Sequence, residues 1–212
     1  MRVTVLGGTG KIGRLAVDQL LAAGHQVVAL VRNPAKLSIE HPGLTVRTGQ
    51  LSDAEAVRSA VTGSDAVISA LGPTLKRGAR GTPVTDGTRT VITAMRQAGV
   101  YRFIGLATPS VPDPRDRPTL KAKVLPVLAG LMFPNALAEL RGMTAVVTDS
   151  DLDWTLARIT NPTDKPSAGT VRAGFLGVDT VGSAMSRADV AGFLVAQLTD
   201  DTYLRAAPAI SN

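Results

Sequence analysis

Three glycines open the chemistry of this chain. Gly7, Gly10 and Gly13 sit within LGGTGKIG (6–13), after an apolar run and before a helical pattern. In a strand–turn–helix unit each has a separate task. Gly7 permits the tight turn. Gly10 lets the backbone approach a pyrophosphate without a Cβ in the way, and Gly13 lets the helix pack closely on the sheet. The helix amino end offers free N–H groups and a positive dipole end to the phosphates. Arg32 closes the next apolar run, QVVALVR (26–32). Proteins that hold unphosphorylated ribose hydroxyls usually carry a carboxylate there. A guanidinium instead binds a 2′-phosphate through two parallel hydrogen bonds. Together these features predict an NADP(H) site in preference to NAD(H), with Lys36 adding charge one turn later. The plainer alternatives are a structural glycine turn and a solvated arginine at a strand end.

Other reactive residues form no constellation. The chain has two histidines and no cysteine. That excludes a disulfide framework, a zinc–thiolate site and a cysteine nucleophile, and no metal site is expected. His25 lies in a helix–strand turn and His41 in a loop, so both read as surface residues. Ser69 and Thr108 end strands but lack an evident histidine base, which argues against hydrolase chemistry. Thr108 and Ser110 are instead candidates to orient a substrate carbonyl or the cofactor amide, and they are the residues proposed as catalytic. Lys121 and Lys123 read as a solvated helix face, with an anionic substrate as the alternative. Asp149, Asp151 and Asp153 read as a helix end and solvent rather than a metal cluster.

The elements that must hold these residues alternate. Strands are expected at 3–8, 26–32, 44–50, 65–72, 102–108 and 153–159, with a late one at 170–176. Helices are expected at 12–23, 53–61 (capped by Ser52 or Asp53), from 82 or 83 to 98, and at 187–198. Continuous apolar strands between helices mean a parallel sheet covered on both faces. The expected fold is therefore α/β: a Rossmann-type, doubly wound parallel sheet, one domain over 1–212, with a small C-terminal substrate-side portion. The loop VPDPRDRP (111–118) follows a strand, so it lies at the carboxyl edge where ligands bind in such sheets. The apolar segment 124–137 reads as a core helix, a lid or a subunit contact.

Composition narrows the class. The chain has 212 residues, 44% of them apolar, which fits a folded domain with a full core. Its longest apolar stretch, 124–133, is far shorter than a membrane span and contains Pro126. A first strand starting near Arg2 leaves no room for a signal peptide, so the expected location is cytoplasmic, without membrane attachment. The net charge of +6 is scattered, KRGAR (76–80) being its densest run, and aromatics are 3%. That is too few for a base-stacking platform, so no nucleic-acid partner is expected. The expected partner is a small-molecule substrate; monomer and homodimer both stay open.

The chain resembles the atypical short-chain dehydrogenase/reductase superfamily, in its NAD(P)H-binding or NmrA-like group. Within that group it is most similar to the biliverdin-IXβ reductase/flavin reductase type. The resemblance rests on LGGTGKIG (6–13), LVRNPAKL (30–37), GQLSDAEAV (49–57), SDAVISALG (64–72), GVYRFIGLAT (99–108) and SDLDWTLARI (150–159). It implies that Thr9, Gly10, Lys11 and Ile12 lie along the pyrophosphate and ribose, and that Arg32 takes the 2′-phosphate. It implies that Leu51 flanks the adenine, where the family often has Asp at the position of Gln50. Ala70, Leu71 and Gly72 would pass under the cofactor. Thr108 would take the family's serine position, and Ile159, Thr160 and Asn161 would line the nicotinamide.

The chain departs from the family at its acid. Ordinary members use Tyr-x-x-x-Lys, yet Gly105 stands four residues after Tyr101, and Ala207 four after Tyr203. A carbonyl needs a proton as its oxygen gains charge. A flavin, quinone or linear tetrapyrrole needs less help, because its reduced anion is delocalised and water can protonate it. The expectation is an NADPH-dependent oxidoreductase that passes hydride to such a conjugated acceptor. The alternatives are a non-catalytic NADP(H)-binding redox sensor of NmrA-like type, and a reductase or isomerase for one specific metabolite.

Overall fold

The computed structural model describes residues 1–74, 80–117 and 130–212. Five strands at its centre follow the expected alternation: β1 (Arg2–Leu6), β2 (Gln26–Val31), β3 (Leu44–Thr48), β4 (Ala66–Ser69) and β5 (Arg102–Ala107). β6 (Asp153–Arg158) continues them, and four short strands follow: β7 (Asn161–Thr163), β8 (Arg172–Gly174), β9 (Ala184–Ser186) and β10 (Ala209–Ser211). The described helices are α1 (Lys11–Ala22), α2 (Ala54–Val61), α3 (Pro83–Ala98), α4 (Pro134–Thr148) and α5 (Arg187–Ala196). The strands end earlier than the sequence pattern, because the terminal residues of each apolar run form the turns at the sheet edge.

The main sheet has the order β3-β2-β1-β4-β5-β6-β10-β8. Its pairs are parallel except β10 with β8, which is antiparallel. β7 and β9 form a separate two-stranded parallel ribbon. The chain leaves β1 toward β2 and β3, then returns to place β4 on β1's other side. That reversal opens a crevice at the carboxyl ends of β1 and β4.

Alternating side chains fill both faces, since a strand turns successive residues to opposite sides. Val3, Val5, Ile68 and Ile104 pack with Val17 and Leu20 of α1 and Val190 and Leu194 of α5. Leu6, Val67 and Phe103 pack on the other face with Val57 of α2, Val91 and Met95 of α3, and Val147 of α4. Thr4 turns to that second face, where its hydroxyl donates to the Ala60 carbonyl at 2.8 Å. The helix ends carry the signals read from sequence. Asp53 caps α2 by accepting from the Glu55 and Ala56 amides, and Gly99 ends α3 with φ of 68°.

The loop after β5 follows the strand's carboxyl end, as expected, and two aspartates tie it down. Asp113 is buried and accepts from the Ala207 amide at 2.8 Å. Asp116 takes a two-pronged ion pair from Arg158, which is fully buried, and also accepts from the Leu176 amide. The loop is thereby docked on the β6–β10 side of the molecule. Of the segment 124–137, residues 124–129 lie outside the described residues. Leu131 and Met132 are exposed, while Ala136 and Leu137 of α4 are buried. The lysines at 121 and 123 and most of KRGAR (76–79) also lie outside the described residues.

Candidate functional site

The glycine loop is built as a cradle for an anion. Gly7 has φ of +80°, and a Cβ on it would meet the backbone of Ala70 at 3.0 Å. The Gly10 amide donates back to the Gly7 carbonyl at 2.9 Å, which closes the turn. Gly10 then serves as N-cap of α1, and no side chain caps that helix or places an acid in its first turn. The amino end of α1 therefore keeps its N–H groups and positive dipole end for an anionic ligand. Among the described residues, a Cβ on Gly10 would meet only the Gly7 carbonyl within 4 Å. The absent side chain leaves room where a phosphate would lie, so the loop fits a pyrophosphate.

The cleft beside this loop has a volume of about 390 Å³. Its wall draws on the ends of four strands. Leu6, Gly7 and Thr9 come from β1, Leu30, Val31 and Arg32 from β2, Gly49 to Ser52 from β3, and Leu71, Gly72 and Thr74 from β4. Arg80, Gly81, Pro83 and Val84 bring in the start of α3, and Asn135 and Glu139 bring in α4. Arg32 is exposed and has no side-chain hydrogen bond or ion pair among the described residues, so its guanidinium is available to a ligand. Leu51 presses on α3 so closely that a Cβ at Gly87 would lie 2.5 Å from it.

The structure brings together Gly7, Thr9, Arg32, Leu51, Leu71 and Gly72 in one wall. Gly10, Gly13 and Ala70 adjoin Gly7 of that wall, whereas Ile12 packs with the core on the α1 face of the sheet. Lys11 points elsewhere: its ammonium pairs with Asp164 at 2.7 Å, and Arg187 pairs with the other oxygen of that carboxylate. The Lys11 hydrogen bond holds the Asp164 carboxyl below the usual carboxylate range. This exposed bridge ties the start of α1 to the chain after β7.

Thr108, Ser110, Ile159 and Thr160 lie at the β5 and β6 edge, outside the wall of this cleft. The Thr108 hydroxyl accepts from the Ser110 amide at 3.0 Å and so shapes the turn. The Ile159 amide donates to Ala107, holding that edge together. Neither tyrosine reaches the cleft. Tyr101 is exposed, and the Tyr203 hydroxyl donates to the Ala173 carbonyl at 3.0 Å.

Among the wall residues that the sequence pattern does not assign to the site are Arg80, Asn135 and Glu139. Arg80 comes from the loop before α3 and supplies a second guanidinium to the cleft that holds Arg32. Glu139 is buried, and its Oε2 accepts from the Val84 amide at 2.8 Å, satisfying a free N–H of the first turn of α3. Asn135 precedes it by one helical turn on α4. The four-residue spacing of Asn135 and Glu139 on a helix that follows β5 is the signal that was available.

A doubly wound sheet with a glycine cradle at its switch point defines a dinucleotide-binding protein of the Rossmann class. Residues 7–201 match the model of a family described as NAD(P)H-binding, and the chain belongs to that family. It is 38% identical over 120 residues to a 3-beta-hydroxysteroid dehydrogenase of Mycolicibacterium neoaurum, covering 52% of this chain and 32% of that protein. It is 34% identical over 113 residues to isoflavone reductase homolog P3 of Arabidopsis thaliana, covering 49% of this chain and 34% of that protein. The chain thus spans about a third of the length of these curated relatives. Among solved structures, ChuY, an anaerobillin reductase of Escherichia coli O157:H7, superposes with a TM-score of 0.80 at 20% identity, covering 100% of this chain and 97% of that one. A short-chain dehydrogenase/reductase of Veillonella parvula in complex with NADP superposes with a TM-score of 0.77 at 18% identity, covering 100% and 94%. At these identities the likeness is one of fold. Among the described residues, no helix is long and apolar enough to cross a membrane.

Proposed function

We propose that this protein is an NADPH-dependent reductase that passes hydride to a flat, conjugated acceptor. The observation that carries the reading is the meeting of the glycine cradle with Arg32 in one cleft. The cradle suits a pyrophosphate, and the guanidinium suits a 2′-phosphate. The dinucleotide, when bound, supplies hydride from its nicotinamide ring. The chain's own part is to hold and orient: Gly7, Thr9 and Gly10 at the phosphates, Arg32 at the 2′-phosphate, Leu51 at the adenine, and Leu71 and Gly72 beneath. Thr108, Ser110, Ile159 and Thr160 are proposed to shape the acceptor end at the β5 and β6 edge. No tyrosine stands in the cleft wall to protonate an alkoxide. That favours acceptors whose reduced form is a delocalised anion, protonated by solvent after hydride arrives.

The absent tyrosine also favours a second reading, a sensor that binds NADP(H) and turns over nothing. One assay separates the two. NADPH oxidation is followed by near-ultraviolet absorbance with FMN, riboflavin, simple quinones and biliverdin as acceptors. Steady turnover that disappears in Arg32→Glu supports the reductase. Tight NADPH binding with no turnover on any acceptor supports the sensor.

A further inference from the structure

Lys11 and Arg187 close on one carboxylate. The Lys11 ammonium lies 2.7 Å from one oxygen of Asp164, and the Arg187 guanidinium 2.5 Å from the other. Lys11 is the first residue of α1 and Arg187 the first of α5, two helices that pack side by side. Asp164 follows β7, and the pairing of β7 with β9 fixes it beside the start of α5. A cation at a helix amino end has the wrong sign for the dipole, so each end gains from a nearby anion. α5 already has the Ser186 cap and Asp189 in its first turn. α1 has neither a side-chain cap nor an acid in its first turn. The anion that meets Lys11 is brought in from elsewhere in the chain, 153 positions away.

The two cations are not equally committed. The Lys11 side chain is 68% exposed and that of Arg187 only 21%. Lys11 stands in solvent on a flexible stem, where an ion pair is weak. If Lys11 leaves, Asp164 keeps Arg187, so no carboxylate is left unpaired. Lys11 also belongs to the anion cradle. The free amides of the first turn of α1 include its own, and such amides are what a helix amino end offers to a phosphate. One residue thus starts at the phosphate-binding turn and ends on an internal carboxylate.

We propose that Asp164 is an internal competitor of the dinucleotide: it holds Lys11 beforehand, and Lys11 exchanges it for the pyrophosphate on binding while Arg187 keeps Asp164 in place. This goes beyond the reductase reading. It rests on the cradle alone and applies equally to an enzyme and to a sensor. Breaking the pair opposes binding, and a carboxylate near the cradle repels phosphate, so Asp164 lowers dinucleotide affinity twice over. The pyrophosphate is common to NADH and NADPH. Asp164 therefore acts on both alike, unlike Arg32, whose partner is the 2′-phosphate.

The test is a titration of wild type, Asp164→Asn, Lys11→Gln and the double variant with NADPH, NADH and adenosine 2′-phosphate, read by calorimetry at low salt. Asp164→Asn keeps an oxygen for Arg187 and is expected to bind NADPH and NADH about twofold to fivefold more tightly than wild type. Added salt should erase that gain, because exposed charges are screened. Adenosine 2′-phosphate has no pyrophosphate and should bind both proteins alike. Lys11→Gln should weaken both dinucleotides, and adding Asp164→Asn to it should bring little gain. Thermal unfolding checks that the variants are folded. Unchanged or weaker binding by Asp164→Asn overturns the proposal and makes the bridge a purely structural tie. A gain confined to NADPH, or shared by adenosine 2′-phosphate, overturns it by placing the effect away from the pyrophosphate. A gain that persists in full without Lys11 overturns the exchange of partners and leaves simple repulsion. Binding of neither dinucleotide to wild type removes the cradle and the proposal together. No acceptor enters these titrations, so the reductase reading stands or falls on its own assay.

Discussion

Gly13 faces the carbonyl of Gly7 so closely that a Cβ on it would lie 2.1 Å from that oxygen. Neither partner is a flexible side chain, so nothing can move aside cheaply. Gly13→Ala is therefore expected to destabilise the fold by about 1–3 kcal/mol, read as a lowered urea midpoint. Gly10→Ala is the contrast, because its Cβ would stand 3.2 Å from the Gly7 carbonyl and otherwise in the open. That variant should unfold near the wild-type midpoint yet bind NADPH at least about tenfold more weakly. If Gly13→Ala is as stable as wild type, the close packing of the cradle is misread.

Arg32 and Arg80 enter one cleft from different loops, and neither has an ion-pair partner among the described residues. A 2′-phosphate is the part of NADPH that NADH lacks. Arg32→Ser should weaken NADPH by roughly ten- to a hundredfold and leave NADH nearly unchanged, since charge-assisted hydrogen bonds are among the strong ones. Arg80→Ser should show the same selectivity with a smaller effect. Titration with both nucleotides checks this, and equal losses for both would remove the phosphate role.

The first half of the chain was legible because local rules agree there. Apolar runs of β-branched residues alternate with helical periodicity, Asp53 and Gly99 mark helix ends, and the glycine spacing carries its own geometry. The C-terminal third was legible only in part: β6, β8 and α5 fall within the expected 153–159, 170–176 and 187–198, but β7, β9 and β10 have three residues each, too few for a period to show. The start of α4 was obscured by the apolar stretch running up to Pro134. Glu139 could not be assigned to the cleft, because that depends on α4 packing on α3. Its bond to Val84 spans 55 positions.

Arg158 and Asp116 form a pair that no sequence pattern announces, since 42 positions separate them. The Arg158 side chain is fully buried, and Asp116 is 10% exposed. Removing one member strands a buried charge. Asp116→Asn is expected to destabilise by about 3–5 kcal/mol in urea unfolding, and to loosen the loop after β5. The double variant Asp116→Leu with Arg158→Met should recover part of that loss, because the stranded charge is gone while the Asp113 and Leu176 amides still lack their acceptor. If the double variant is as unstable as the single, the pair is contributing more than charge compensation.

Asp189 should set the acid limit of the fold. Its carboxylate accepts from the Ser167 and Ser186 hydroxyls, the Ala168 amide and the Asn212 side chain, joining α5 to the loop before β8 and to the end of the chain. Burial pushes this carboxyl upward, but the four hydrogen bonds outweigh it and hold it down to about 2, against an ordinary 3.8. A folded-state value below the unfolded one means the unfolded chain takes up the proton first. The contribution is therefore full above about pH 4 and is lost as the pH falls toward 2. The depression corresponds to about 2 kcal/mol at neutral pH. Asp189→Asn should lose about that much in urea unfolding at pH 7. The wild-type and variant stabilities should then converge as the pH is lowered toward 2. A difference that stays constant across that range would mean the network stabilises the protein by shape alone.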